Sequence, residues 1–178
     1  SNTNDAGGVS AGEAGGQRHW QNFPSGAVRY YGDDELGGTI TYQDTFSANG
    51  KAYIPSAIAD PVIIFGHFDT STQETGRIDF VGAFIDNSNQ DLALWIPGIT
   101  NQGYGDGKNR IRFAGTSPPG DVVYPWAQGA ILWEYTYDPS TRTVTMTVTD
   151  PDNAGNTKTV TAIGRDTSEP TFSLDAFG

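Results

Sequence analysis

The stretch from Ile131 to Thr149 constrains the fold more than any other part of this chain. Arg142 to Thr149 alternates strictly, with Val144, Met146 and Val148 on one parity and threonines on the other. That is the period of a strand with one buried face. Just upstream, Ile131, Trp133, Tyr135 and Tyr137 also share a parity. The intervening Asp138-Pro139-Ser140-Thr141 is a turn sequence, because proline fixes φ while Asp and Ser bond to nearby backbone. Pairing Tyr137 with Arg142 sets Tyr135 against Val144, Trp133 against Met146 and Ile131 against Val148. Each pair then puts an aromatic or branched residue against an aliphatic one on one side. An antiparallel hairpin is expected here, with Trp133, Tyr135 and Tyr137 in the core.

The same texture of short apolar runs broken by Gly, Pro, Asn and Asp recurs along the chain. Further strands are expected near Ala27–Tyr31, Gly38–Phe46, Val62–His67, Arg77–Ile85, Asp91–Ile96, Asn109–Ala114, Thr157–Ile163 and Thr171–Leu174. Val, Ile and Thr account for 41 residues against six Leu and Met, which argues against long amphipathic helices. About ten short strands, with no βαβ alternation and no internal repeat, predict an all-β fold: an antiparallel β-sandwich of two curved sheets, a jelly roll. Residues 1–18 are mostly Gly, Ala, Ser and Asn without hydrophobic period and read as a flexible tail or linker. Residues 19–178 read as one β-sandwich domain, a size that supports a single core.

Charge and cysteine narrow the function classes. Ten basic and 21 acidic residues give a net charge of −11, which repels phosphate backbones and anionic membrane surfaces. Nucleic acid is therefore not an expected partner. No apolar run approaches the roughly 20 residues of a membrane helix, so membrane insertion is not expected either. Without cysteine there are no disulfides, thiolate metal sites or cysteine nucleophiles. Three lysines, abundant threonine and marked acidity lean towards a secreted or cell-surface protein. A start at Ser1 with no charged-then-apolar leader suits a mature secreted chain or part of a larger multidomain extracellular protein.

Parity also nominates surface chemistry. In Asp91–Ile96, inward Leu92, Leu94 and Ile96 leave Ala93 and Trp95 outward. In Asn109–Phe113, inward Ile111 and Phe113 leave Arg110 and Arg112 outward. In Arg77–Ile85, the fuller apolar set is Ile78, Phe80, Gly82 and Phe84, which sets Asp79 opposite; Glu134 likewise opposes the aromatic row. An indole beside guanidinium, carboxylate and amide groups suits a sugar, whose C–H face packs on the ring while its hydroxyls meet fixed donors and acceptors. Trp95 is the candidate platform, and burial under a loop or second sheet is its alternative.

Two loops add candidates. Gly98 to Asn109 is long and rich in glycine and amides, nominating Tyr104, Asp106 and Asn109; a solvated connection held by turn chemistry is the alternative. Thr116 to Gln128 carries Trp126 after Pro125, as a loop-tip platform or a packed lid. Trp20 reads as an anchor for the start of the domain. Acidic clusters at Asp33-Asp34-Glu35, Asp86 to Asp91 and Asp150 to Asn153 offer hard oxygen ligands for Ca²⁺, or are solvated turns. Asp33, Asp34 and Asp175 are the candidate metal ligands, for a structural Ca²⁺. His19 and His67 form no spacing motif.

Several segments resemble the concanavalin A-like lectin/glucanase (laminin-G-like) jelly-roll superfamily. These are Phe65-Gly66-His67-Phe68-Asp69, Ile78 to Phe84, Trp133 to Pro139 followed by Thr143 to Val148, and Phe172 to Gly178. The resemblance implies two curved antiparallel sheets, glycan binding on the concave sheet or its rim loops, and structural calcium. The hydrolases of that superfamily carry a Glu-x-Asp-x-x-Glu strand, which Arg77–Ile85 lacks, having Asp79 alone. The expectation is thus a non-catalytic carbohydrate-binding module or lectin-like domain whose partner is a polysaccharide or glycan. Its alternatives are a polysaccharide-cleaving glycoside hydrolase or lyase pairing Asp79 with Glu134, or a structural or adhesion β-domain without a ligand.

Overall fold

The computed structural model describes residues 36, 38–54, 62–69, 80–86, 91–104, 107–113, 123–124, 129–164 and 172–178. The strand expected at Ala27–Tyr31, Trp20, the tail at 1–18, and Asp33, Asp34, Asp79, Asp106 and Trp126 lie outside them. The described residues are all-β. Twelve strands run in chain order: β1 (Ile40–Thr41), β2 (Phe46–Ile54), β3 (Val62–Phe68), β4 (Phe80–Asp86), β5 (Asp91–Trp95), β6 (Arg110–Phe113), β7 (Val123–Tyr124), β8 (Gly129–Asp138), β9 (Thr143–Asp150), β10 (Asn153–Ile163), β11 (Ser173–Leu174) and β12 (Ala176–Phe177). Among the described residues no helix is long and apolar enough to cross a membrane.

The strands make a four-stranded sheet in the order β10-β9-β8-β2, a six-stranded sheet in the order β12-β3-β4-β5-β6-β7, and a small β1-β11 ribbon. Pairing is antiparallel except between β6 and β7. One core joins the two large sheets. Ile131, Trp133, Tyr135 and Met146 contribute from one, and Val81, Ala83, Ile85, Leu92 and Ile111 from the other. This is the expected β-sandwich.

The β8–β9 hairpin forms on the expected face but in a register two residues longer. Tyr137 pairs with Val144, Tyr135 with Met146 and Trp133 with Val148. Arg142 cannot join the ladder because it closes the turn at φ 52°, a left-handed conformation. Asp138 fastens that turn by accepting bonds from the Ser140 amide at 2.9 Å, the Ser140 hydroxyl at 2.7 Å and the Thr141 hydroxyl at 2.9 Å. A two-residue slip preserves side-chain parity, so Trp133, Tyr135 and Tyr137 are core residues as expected.

Two other expectations need correction. Gly38–Phe46 is not one strand: Asp44 accepts from the Thr41 amide and hydroxyl, both at 2.8 Å, and turns the chain there. The long strand is β2, whose inward residues Phe46, Ala48, Gly50 and Ala52 pair with Tyr137, Tyr135, Trp133 and Ile131. Small residues suit it because β8 supplies the bulk. A Cβ on Gly50 would lie 2.7 Å from Cζ2 of the Trp133 indole.

The second correction concerns β4. Its inward residues are Val81, Ala83 and Ile85, all in the main core, whereas Phe80, Gly82 and Phe84 belong to the opposite face. Phe80 instead joins Phe68 and Ala176 in a separate cluster, with Phe84 and Trp95 packed against it. Counting apolar residues misassigned this strand because both of its faces are apolar. Gly82 and Gly66 face each other across β3–β4, and a Cβ on Gly82 would fall 2.3 Å from the Phe65 carbonyl oxygen. The strands approach too closely there for any side chain.

Candidate functional site

The outer face of the six-stranded sheet gathers most of the chemistry that parity nominated. Along β5, Asp91, Ala93 and Trp95 point away from the core that holds Leu92 and Leu94. Across from them on β6, Arg112 pairs with Asp91 and Arg110 with Ala93. Beyond that register the Leu94 amide donates to the Asn109 carbonyl at 2.8 Å, and exposed Lys108 follows in the bend before β6. Trp95 is half-buried and lies nearly parallel to Phe80, with ring centroids 6.2 Å apart and planes at 16°. The aromatic cluster thus holds the indole in one orientation without sealing it.

The Gly98–Asn109 loop delivers Tyr104 to this face. Backbone and amide bonds pin the loop to β10. The Thr100 amide donates to the Ile163 carbonyl at 2.8 Å, the Asn101 Nδ2 to the Thr161 carbonyl at 2.8 Å, and the Ile163 amide to the Asn101 Oδ1 at 2.9 Å. Asn109 braces it from within: its Oδ1 accepts from the Gly103 amide at 2.8 Å, and its Nδ2 donates to the Leu94 carbonyl at 3.0 Å. At 1% exposure, Asn109 positions the loop and has no surface for a ligand.

Four side chains converge on the ledge around Asp91, with Arg110 on the side nearer Trp95 and Arg112 on the side farther from it. The Tyr104 hydroxyl donates to Asp91 Oδ2. The same oxygen takes the Arg110 guanidinium at 3.0 Å, in an ion pair whose carboxylate side chain is fully buried and whose guanidinium side is 30% exposed. The Arg112 guanidinium lies 4.3 Å from the Tyr104 ring centroid, and that of Arg110 lies 5.5 Å from Phe84. Asp91 Oδ1 has no hydrogen-bond partner. Burial works against the Arg110 charge, but Tyr104 and Asp91 outweigh it and hold the guanidinium above its ordinary pKa. These contacts lock Tyr104 and both arginines into fixed orientations, as a binding surface that loses little entropy on association requires.

The other nominated residues separate from this face. Glu134 is exposed on the outer side of the four-stranded sheet, opposite Thr147. It therefore looks away from Trp95, on the other surface of the sandwich. Around it the outward threonines of β9 and β10 bond one another, Thr147 to Thr159 at 3.2 Å and Thr149 to Thr157 at 3.1 Å. Asp175 lies beside β12, its amide donating to the Phe68 carbonyl at 3.0 Å. Asp150 and Asn153 make turn bonds to the Asp152 and Gly155 amides at 2.9 and 3.2 Å. Among the described residues no group of three or more His, Asp or Glu side chains is arranged to hold a metal ion.

Sequence reasoning did not foresee Asp91 as the centre of the cluster, having weighed it only as an oxygen ligand for calcium. Its strand parity with Trp95, opposite the arginines, was the available signal. Comparison with protein-family models, with curated proteins and with solved structures finds no match for this chain.

Proposed function

We propose that this β-sandwich is a non-catalytic carbohydrate-binding domain of an extracellular protein, with its ligand on the outer face of the six-stranded sheet. The observation that carries the reading is the Trp95 indole, half-buried and braced by Phe80, on the same ledge as Arg110, Tyr104 and Arg112. An indole supplies the apolar platform for the C–H face of a sugar, and the fixed guanidiniums supply directional donors for its oxygens. Asp79, the acid expected to pair with Glu134, lies outside the described residues, and the settings of Asp91 and Glu134 favour binding over cleavage. Asp91 is committed to Arg110 and Tyr104, and Glu134 is on the opposite surface, so these two do not flank a common substrate bond as glycosidase acids must.

The test is isothermal titration calorimetry against a panel of soluble polysaccharides, comparing the wild-type chain with Trp95→Ala. Binding that weakens at least tenfold in the variant, with its circular dichroism unchanged, supports the reading. Absence of binding to every polysaccharide, or full retention by Trp95→Ala, overturns it.

A further inference from the structure

We infer that the ligand of this face is an anionic glycan, one carrying carboxylate or sulfate groups. This inference rests on the carbohydrate reading above and narrows it. Of three lysines and seven arginines in the chain, Lys108, Arg110 and Arg112 fall at alternate positions within five residues. Alternation in a strand puts Arg110 and Arg112 on one side, and the β5–β6 register places that side with the outward residues of the strand that ends in Trp95. Exposed Lys108 lies just beyond that register in the chain. The stripe of Arg110 and Arg112 is about 7 Å long at the usual strand rise. It is not uniform. Asp86 and Asp91 are cross-strand partners, and Asp91 pairs in turn with Arg112, so the acidic residues of this register lie at the Arg112 end. The Trp95 end carries Lys108, which is exposed, and Arg110, whose guanidinium side remains 30% exposed although one nitrogen holds Asp91.

The net charge of −11 argues for a neutral ligand only if the whole chain acts at the site. Screening limits that reach to about 8 Å at physiological ionic strength, so the charges beside the ligand set the local potential. There Asp91, the carboxylate that Arg110 holds, is fully buried. A guanidinium fork presents paired N–H groups with the geometry of a carboxylate or sulfate, and Trp95 beside it takes the sugar ring. A sugar acid satisfies both groups at once, whereas a neutral sugar leaves the cations solvated.

The experiment titrates the full chain with polygalacturonate, dextran sulfate, neutral laminarin and single-stranded DNA at low and at 0.5 M salt. The variants are Trp95→Ala, Lys108→Gln and Arg110→Lys. Lys108 is exposed, so its removal leaves the fold intact even if the Arg110 change does not. Expected is binding to polygalacturonate or dextran sulfate that falls with salt, is lost in Trp95→Ala, and weakens roughly three- to tenfold at low salt in Lys108→Gln, as for a peripheral charge. The two anionic polymers distinguish carboxylate from sulfate. Binding to laminarin with no effect of Lys108→Gln overturns this inference and leaves the carbohydrate reading standing. Binding to DNA as tight as to the anionic glycans overturns it in favour of a general polyanion surface. Binding to none of the four overturns it too; the carbohydrate reading falls with it if the wider polysaccharide panel also fails.

Discussion

Stability of this sandwich should decline as pH falls from about 7 to about 4, and one histidine should carry a measurable share. His67 on β3 is 6% exposed, and its ring Nδ1 lies 2.7 Å from the Tyr135 hydroxyl of β8. That hydroxyl also accepts the His67 amide N–H at 3.2 Å. The histidine thus ties the two sheets together through its backbone and its ring. Phe46 and Phe177 close around it, with ring centroids at 4.9 and 5.0 Å. Burial among these rings lowers its pKa from 6.5 to about 4, so the ring is neutral at pH 7, with Nδ1 hydrogen-bonded to the Tyr135 hydroxyl, which donates in turn to the Val81 carbonyl at 3.3 Å.

The direction follows from linkage. A folded-state pKa below the unfolded one means that the unfolded chain takes up the proton first as pH falls. The contribution is therefore complete above about pH 6.5, is lost between there and about pH 4, and changes no further below. Two and a half pH units at 1.36 kcal/mol each give an upper figure of about 3 kcal/mol, with about 2.5 kcal/mol of it lost between pH 7.5 and pH 4.5. The assay is urea unfolding at several pH values and constant ionic strength, in a His19→Gln background that removes the other histidine. His67→Gln retains a hydrogen-bonding side chain for Tyr135 but cannot titrate. It should be less stable at pH 7.5 and lose about 2.5 kcal/mol less than its parent on acidification. Because the carboxylates are common to both chains, their protonation cancels in the difference. Parallel stability curves, within about 0.5 kcal/mol, would refute the assignment.

Other changes test the packing and the ion pair. Gly50→Ala forces the Trp133 indole to move and should cost about 1–3 kcal/mol in urea unfolding. Gly82→Ala should be the more damaging of the two, because its Cβ meets backbone at 2.3 Å rather than a side chain that can shift; equal stability of the two variants would contradict that ranking. Arg110→Met strands the fully buried Asp91 carboxylate and should cost about 3 kcal/mol. Adding Asp91→Asn should recover part of this, and strict additivity in the double-mutant cycle would show that the pair is not coupled.

Parity was legible wherever one side of a strand was polar. The threonines of β9 fixed its face unambiguously, and the hairpin survived an error in turn length because a slip of two restores parity. At β4 the same test failed. Ile78, Phe80, Gly82 and Phe84 outnumber Val81, Ala83 and Ile85, but a count does not say which apolar face meets the second sheet and which meets a smaller cluster on the other side. β2 was overlooked for the opposite reason: its inward face is small because Trp133 fills the space above Gly50, a complementarity between residues more than 80 positions apart in sequence.

The site shows where strand periodicity stops being informative. Alternation correctly put Trp95, Arg110, Arg112 and Glu134 on outward faces, but a sandwich has two outer surfaces, and period alone cannot assign strands between them. Sheet membership depends on which strands pair, a long-range choice made by β4–β5–β6 contacts on one side and β2–β8–β9 contacts on the other. Nor does an outward direction mean exposure. Asp91 and Ala93 are both fully buried on the outer face, in a setting where Tyr104, Arg110 and Arg112 close over Asp91. The same enclosure makes this end of the ledge rigid, because a buried carboxylate retains its two donors in the dry setting where hydrogen bonds and ion pairs are strongest. A carbohydrate surface built this way would have its polar contacts fixed by the fold. Loosening them through Tyr104→Phe should weaken glycan binding while leaving Trp95 in place, and unchanged affinity in that variant would mean that Tyr104 serves only the packing of its loop.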